Sequence, residues 1–82
     1  MPIAKPLRMT DPVEVRSSSL ARLSYDCQQA ILQVEFRDGA VYQFFDVPEE
    51  IYNRLLAAES KGNYFNRRIR SHFRYALVRR AR

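Results

Sequence analysis

The chain has 82 residues, 46% of them hydrophobic, with one cysteine, one histidine and a formal net charge of +5, which is enough for one small packed domain and too little for two. A lone cysteine excludes an internal disulfide, Cys27 and His72 together fall short of a zinc set, and Gly39 and Gly62 alone leave no glycine-rich phosphate loop; no run approaches the ~20 apolar residues of a membrane span. The charge is uneven: Lys61 to Arg82 holds eight basic residues and no acidic one, the rest six basic against nine acidic, so the two parts stand at +8 and −3.

Residues 1–15 contain three of the four prolines and no sustained period, which predicts an extended arm with Val13 and Val15 touching the body. Its charges and prolines interrupt the apolar run that a signal peptide needs, and the expected location is a reducing cytoplasm. Residues 16–78 read as a single domain. After Ser17-Ser18-Ser19 a strand places Ala21, Leu23 and Tyr25 on one side and Arg22 and Ser24 on the other; Asp26-Cys27-Gln28-Gln29 is a turn. A second strand puts Leu32, Val34 and Phe36 inward, opposite Gln33, Glu35 and Arg37.

Asp38-Gly39 marks a hairpin into a third strand, Val41 to Asp46, because a tight turn needs positive φ and this dipeptide tolerates it. A two-residue loop would bury Val41 and Phe45 and leave Tyr42 and Phe44 on a solvated face. A three-residue loop with a glycine bulge would bury Tyr42 and Phe44 instead. Asp46-Val47-Pro48-Glu49 then announces a helix, with Asp46 as cap, Glu49 closing a capping box and Pro48 in the first turn. Ile51, Leu55 and Ala58, widened by Tyr52 and Leu56, form its core stripe, Glu50 pairs with Arg54, and Lys61-Gly62-Asn63 ends it near Gly62.

A second helix follows, capped by Asn63, with Phe65, Ile69 and Phe73 on its docked side and Arg67, Arg70 and Arg74 on the opposite one. Beyond Ser71 the pattern fits either more helix or a short final strand, since Phe73, Tyr75 and Leu77 alternate with Arg74 and Ala76. Residues 79–82 read as a basic tail. The fold class is α+β: a three-stranded antiparallel β-meander packed against one capped helix and a second short helix, with that C-terminal strand left open. Dense positive charge attracts phosphate, and guanidinium groups also grip it with a planar fork and stack on bases, so Lys61, Arg67, Arg68, Arg70, Arg74, Arg79 and Arg80, on one arginine-rich C-terminal face, are the candidate nucleic-acid contacts. Tyr42, Phe44 and Tyr64 are the candidates for base stacking.

The run Val41-Tyr42-Gln43-Phe44-Phe45-Asp46-Val47-Pro48, then Tyr52, Leu55 and Leu56, then Ser60-Lys61-Gly62-Asn63-Tyr64-Phe65-Asn66-Arg67-Arg68-Ile69-Arg70, resembles the KTSC domain over roughly residues 16–75. Gly-x-Tyr-Phe-Asn-x-x-Ile-Arg is the most specific part. The chain is similar to the small stand-alone bacterial versions of that domain, and departs from them where the central Tyr-x-Tyr appears as Tyr42-Gln43-Phe44. The occurrence of the domain at the carboxyl end of some lysyl-tRNA synthetases implies RNA, and tRNA in particular, as partner. The reading is a non-catalytic RNA-binding accessory module without cofactor or metal. Its alternative is a protein-interaction module using exposed aromatics or a sheet edge. General acid–base chemistry has one histidine to work with, and an arginine-based ribonuclease site would have to come from Arg70, His72 and Tyr75.

Overall fold

Five antiparallel strands follow one another across a single sheet in chain order: β1 (Val13–Glu14), β2 (Leu20–Asp26), β3 (Ile31–Phe36), β4 (Val41–Phe44) and β5 (Tyr75–Arg79). Two helices, α1 (Glu49–Ala57) and α2 (Lys61–Arg68), connect β4 to β5. The structure is a computed structural model and describes residues 8–82; the first seven residues of the expected arm lie outside the described residues. The three-stranded meander is thus the centre of a wider sheet. Val13 and Glu14 pair with Leu23 and Arg22, which makes the end of the arm an edge strand, and Val15 is buried. The segment left open between helix and strand is a strand, with Tyr75 opposite Phe44 and Leu77 opposite Tyr42.

Register sorts the side chains onto two faces. Leu23, Val34, Tyr42 and Leu77 lie in one row across the sheet, and Tyr25, Leu32, Phe44 and Tyr75 in the next. Over β2 to β4 this is the face the helices cover: Tyr52 and Leu55 from α1 and Phe65 and Ile69 from the α2 region join Leu20, Leu23, Tyr25, Leu32, Val34, Phe44 and Val47 in one buried cluster. Each fully buried aliphatic or aromatic side chain contributes about 1.5–3 kcal/mol of transfer free energy. The opposite face is polar, with Arg22 and Arg79 flanking Glu35 at 3.1 and 3.7 Å and Gln43 donating to Gln33 at 2.9 Å. A bulge at Ala21 brings both Leu20 and Leu23 to the inner side, since Leu20 pairs with Phe36 while Arg22 already pairs with Glu35.

The hairpin takes the three-residue form. Gly39 N donates to Phe36 O at 2.9 Å, Phe36 N donates to Ala40 O at 2.8 Å, and Gly39 has φ of 96°, a value that L side chains rarely adopt. The loop therefore turns Tyr42 and Phe44 inward.

Asp26 ties the lead-in segment to the sheet. Its side chain is fully buried and accepts the amides of Arg8, Gln28 and Gln29 at 2.7, 2.9 and 3.0 Å. The Arg8 amide leads the set of backbone donors that hold its carboxyl below the usual carboxylate range, against the desolvation that opposes them. Beside it, Thr10 N donates to Tyr25 O and Tyr25 N donates to Thr10 Oγ1. The Tyr25 hydroxyl donates to Val47 O, and burial, with a smaller contribution from the nearby Glu49 charge, raises its pKa above the ordinary tyrosine value.

Both helix starts differ from expectation. Asp46 does not cap α1: it sits at φ of 58°, a left-handed conformation that aspartate tolerates, and its carboxylate faces Arg74 Nη2 at 3.0 Å. Pro48 holds the N-cap position with extended backbone and no side-chain cap, while Glu49 and Glu50 still occupy the positive end of the helix and Glu50 pairs with Arg54 at 3.4 Å. The helix ends at Ala57 rather than near Gly62, because Ser60, not Asn63, caps α2 by accepting the Asn63 amide at 3.3 Å. Gly62 lies inside the first turn of α2 and has no positive φ; a Cβ there would stand 3.0 Å from Ser19 Oγ, so its role is close approach of helix to strand. Among the described residues no helix is long and apolar enough to cross a membrane, and no three His, Cys, Asp or Glu side chains gather where a metal would bind.

Candidate functional site

The helices leave the inner face of β5 uncovered. Tyr75, Leu77 and Val78 are 59%, 48% and 53% exposed, which places three of the four large apolar side chains exposed among the described residues on one strand. Between that strand and α2 runs an open groove of about 920 Å3. Its floor is aromatic, from Phe36, Tyr42, Phe44, Phe65 and Tyr75, and its rim carries Asn66, Arg70, Ser71, Arg80 and, at the hairpin end, Asp38. The rings brace one another: Phe65 meets Phe36 at 5.5 Å and Phe44 at 5.3 Å edge to face, and Tyr75 lies 5.7 Å from both Tyr42 and Phe44. Such contacts add about 0.5–1.5 kcal/mol per pair beyond their buried area.

The seven cationic residues named as candidate contacts do not all gather on one face. Arg74 precedes β5 rather than continuing a helix, lies 3.0 Å from Asp46 and sits over the Phe45 ring at 5.8 Å. Arg79 pairs with Glu35 on the polar face and donates to Gly39 O at 3.0 Å. Lys61 Nζ donates to Ala58 O at 3.0 Å, which finishes α1. Residues 79–82 are not a free tail either, because Arg79 belongs to β5 and Arg82 N donates to Asp38 O at 2.8 Å. Arg67, Arg68, Arg70 and Arg80 remain exposed, and no carboxylate among the described residues pairs with them. Of these, Arg70 and Arg80 stand on the groove rim, brought there from either side of β5.

A bulge explains why Arg79 and Arg80 part company. Val41 pairs with Arg79 and Tyr42 with Leu77, so Val78 is an extra residue that shifts the alternation. Leu77 faces the groove, Arg79 crosses to Glu35, and Arg80 returns to the groove side. The stacking candidates sort as clearly. Phe44 is 3% exposed and has no free ring face, which removes it; Tyr64 packs against the core and does not line the groove; Tyr42 is half-buried in the floor. Tyr75, absent from that predicted set, is the most exposed ring of the floor. Its place opposite Phe44 in a final strand was the available signal, and it required the strand reading after Ser71. His72 is exposed with Nε2 3.0 Å from Arg67 O, and neither a carboxylate nor a tyrosine hydroxyl hydrogen-bonds to its ring among the described residues.

One side of the groove is built by the run from Gly62 to Arg70. Gly62 allows α2 to lie on the Ser17–Ser19 segment, Phe65 and Ile69 anchor it in the core, and Asn66 and Arg70 face the groove. The family model described as the KTSC domain matches residues 16–73, which contain this run. An uncharacterised protein of Stutzerimonas stutzeri (strain A1501) is 47% identical over 64 residues, spanning 77% of this chain and 90% of that protein. A lysine–tRNA ligase of Nostoc punctiforme (strain ATCC 29133 / PCC 73102) is 36% identical over 58 residues, which are 71% of this chain and 10% of the ligase. The crystal structure of a KTSC domain protein from Yersinia pestis matches with a TM-score of 0.81 at 29% identity, covering 84% of this chain and 97% of that one. With its groove wall and most of its sheet inside the matched segment, the chain belongs to the KTSC domain family.

Proposed function

We propose that this domain is a non-catalytic RNA-binding accessory module, working in the cytoplasm without cofactor, that meets its ligand at the groove between α2 and β5. The observation that carries the reading is the placement of Arg70 and Arg80, without a carboxylate partner among the described residues, on the rim of an aromatic floor. Arginine forks grip phosphate, and the stretch from Lys61 onward contributes no acidic residue to oppose them. Arg67 and Arg68 extend the cationic surface along the last turn of α2. Similarity to a segment of a lysine–tRNA ligase makes tRNA the first ligand to test. His72 meets the Arg67 carbonyl and shares no hydrogen bond with a titratable side chain among the described residues, which favours binding over cleavage.

Titration of tRNA and of duplex DNA at two salt concentrations tests the proposal. Log affinity for RNA should fall with log salt at about −0.7 per neutralised phosphate for single-stranded regions. Replacing Arg70 and Arg80 together by alanine should weaken tRNA binding about tenfold or more with an unchanged denaturation midpoint. An unaltered titration in the folded double variant counts against the site.

A second reading, a protein-interaction module, is favoured by one observation: β5 is the edge of the sheet and displays Tyr75, Leu77 and Val78. Binding through those side chains would respond weakly to salt, which separates the two.

A further inference from the structure

We infer that the groove takes unpaired nucleotides of an RNA strand, with Tyr75 as the platform on which a base stacks and Arg70 and Arg80 holding the phosphates beside it. The inference rests on the RNA-binding reading and narrows it to one form of RNA. Tyr75 is pinned from beneath, 5.7 Å from the rings of Tyr42 and Phe44, yet remains 59% exposed. One part of its surface is fixed by packing and another is open to solvent, so a base stacking there orders little that is not already ordered. Leu77 continues the apolar floor along the strand. Asn66 and Ser71 add polar side chains on the α2 side, within the same groove as the stacking ring.

A base pair inside a duplex is stacked above and below and offers no ring face, and the deep major groove of A-form RNA is closed to side chains. Tyr75 on β5 therefore has no base face to engage along the interior of a duplex, while a loop or a free end can lay a base on it. The charge at the rim selects the occupant further. An apolar peptide would leave both guanidiniums without partners, whereas a nucleotide strand brings a phosphate with every base. Asp38, the acidic group on this rim, is held in the hairpin by accepting the Ala40 amide at 3.0 Å.

The test uses the full chain and fluorescence anisotropy with labelled RNA of about twelve nucleotides, single-stranded and as the matched duplex, at one salt concentration. Wild type should bind the single strand at least about tenfold more tightly than the duplex. Tyr75→Leu should lower single-strand affinity by about fivefold or more, in keeping with loss of one base stack, and leave duplex affinity unchanged. Tyr75→Phe, which keeps the ring, should retain wild-type affinity. The chain has five tyrosines and no tryptophan, so intrinsic tyrosine fluorescence gives an independent signal: the single strand should quench it in wild type and less so in Tyr75→Leu. Equal affinity for both RNA forms, with no loss in a folded Tyr75→Leu, overturns the stacking site while leaving charge-based RNA binding in place. Displacement of the labelled single strand by an equimolar polyglutamate peptide also overturns it. Failure of wild type to bind either form at low salt brings down the RNA reading itself.

Discussion

Two tyrosine pairs on the inner side of the sheet, one joining β2 to α1 and one joining β4 to β5, meet different fates. Tyr25 and Tyr52 stack at 5.0 Å with their planes 13° apart, are 3% and 6% exposed, and sit where the lead-in segment and α1 close over β2. Tyr42 and Tyr75 also touch, at 5.7 Å, but on the β4–β5 side, where Tyr75 stays 59% exposed. The residue type is the same; the cover is not. In the closed half the hydroxyl of Tyr25 must be satisfied from within, and Val47 O does so. In the open half water can serve Tyr75, which leaves its ring available to a ligand. Under the function proposed above, stability and recognition fall to opposite edges of one small sheet, and this division is open to direct tests.

The largest effects belong to the side chains that hold α2 on the sheet. Phe65 and Ile69 are 3% and 0% exposed. Phe65→Ala should destabilise by about 3–5 kcal/mol and Ile69→Ala by about 2–5 kcal/mol, from lost transfer energy plus the cavity left behind. Tyr75→Ala, though it removes a comparable ring, should lower the chemical denaturation midpoint much less. A Tyr75→Ala midpoint as low as that of Phe65→Ala would show that the open half supports the fold after all, and the division would fail.

A subtler pair follows from the hydroxyls. Tyr25→Phe leaves the buried Val47 carbonyl without its donor and should destabilise by about 1–3 kcal/mol. Tyr75→Phe removes an exposed hydroxyl and should change stability by no more than about 0.5 kcal/mol. Urea denaturation of the two variants side by side measures the contrast.

The closed half is also the more legible in sequence. Strict alternation of Leu32, Val34 and Phe36 marked β3, and the inward side of Leu23 and Tyr25 followed from the same local rule. At Asp38-Gly39 the turn was legible but its length was not, since the choice depends on which backbone groups pair across the loop, and that choice decides the face of Tyr42 and Phe44. In the open half the decisive contacts are long-range. Asp46 reads locally as a helix cap but meets Arg74, 28 positions away. The consecutive arginines Arg79 and Arg80 look equivalent until a single extra residue, Val78, sends one to Glu35 and the other to the groove. A helical wheel drawn through Arg67, Arg70 and Arg74 fails because α2 stops at Arg68. Composition identified the basic region, and only the register showed which of its members remain free.

Titration gives the next contrast, again within the closed half. The folded-state pKa of Asp26 is lowered, chiefly by the Arg8 amide and then by those of Gln29 and Gln28, so its contribution to stability is fully present above the unfolded value of about 3.9 and is lost as pH falls through the folded value. Tyr25 has the opposite sign: its pKa is raised, chiefly by burial, so its contribution is present below the unfolded value of about 10 and is lost as pH rises through the folded one. Thermal midpoints measured across pH should fall at both ends. Asp26→Asn should flatten the acid limb and Tyr25→Phe the alkaline limb. If Asp26→Asn leaves the acid limb as steep as in wild type, other carboxylates govern it and the Arg8–Asp26 tie is weak.

The smallest effect on stability is expected at Arg74. Its pair with Asp46 is open to water, with side chains 79% and 78% exposed, so Arg74→Ala should destabilise by about 0.5 kcal/mol or less. The variant is informative for binding. Arg74 is engaged by Asp46, lies over the Phe45 ring and does not line the groove, whereas Arg70 has no carboxylate partner among the described residues and does line it. If the groove is the site, Arg74→Ala should weaken tRNA binding by less than half as much, in free energy, as Arg70→Ala, at the same salt concentration. Equal losses would mean that an exposed ion pair yields its arginine to phosphate as readily as an unpaired one. The interface would then run past the groove toward Asp46, and the separation of free from engaged guanidiniums would cease to locate it.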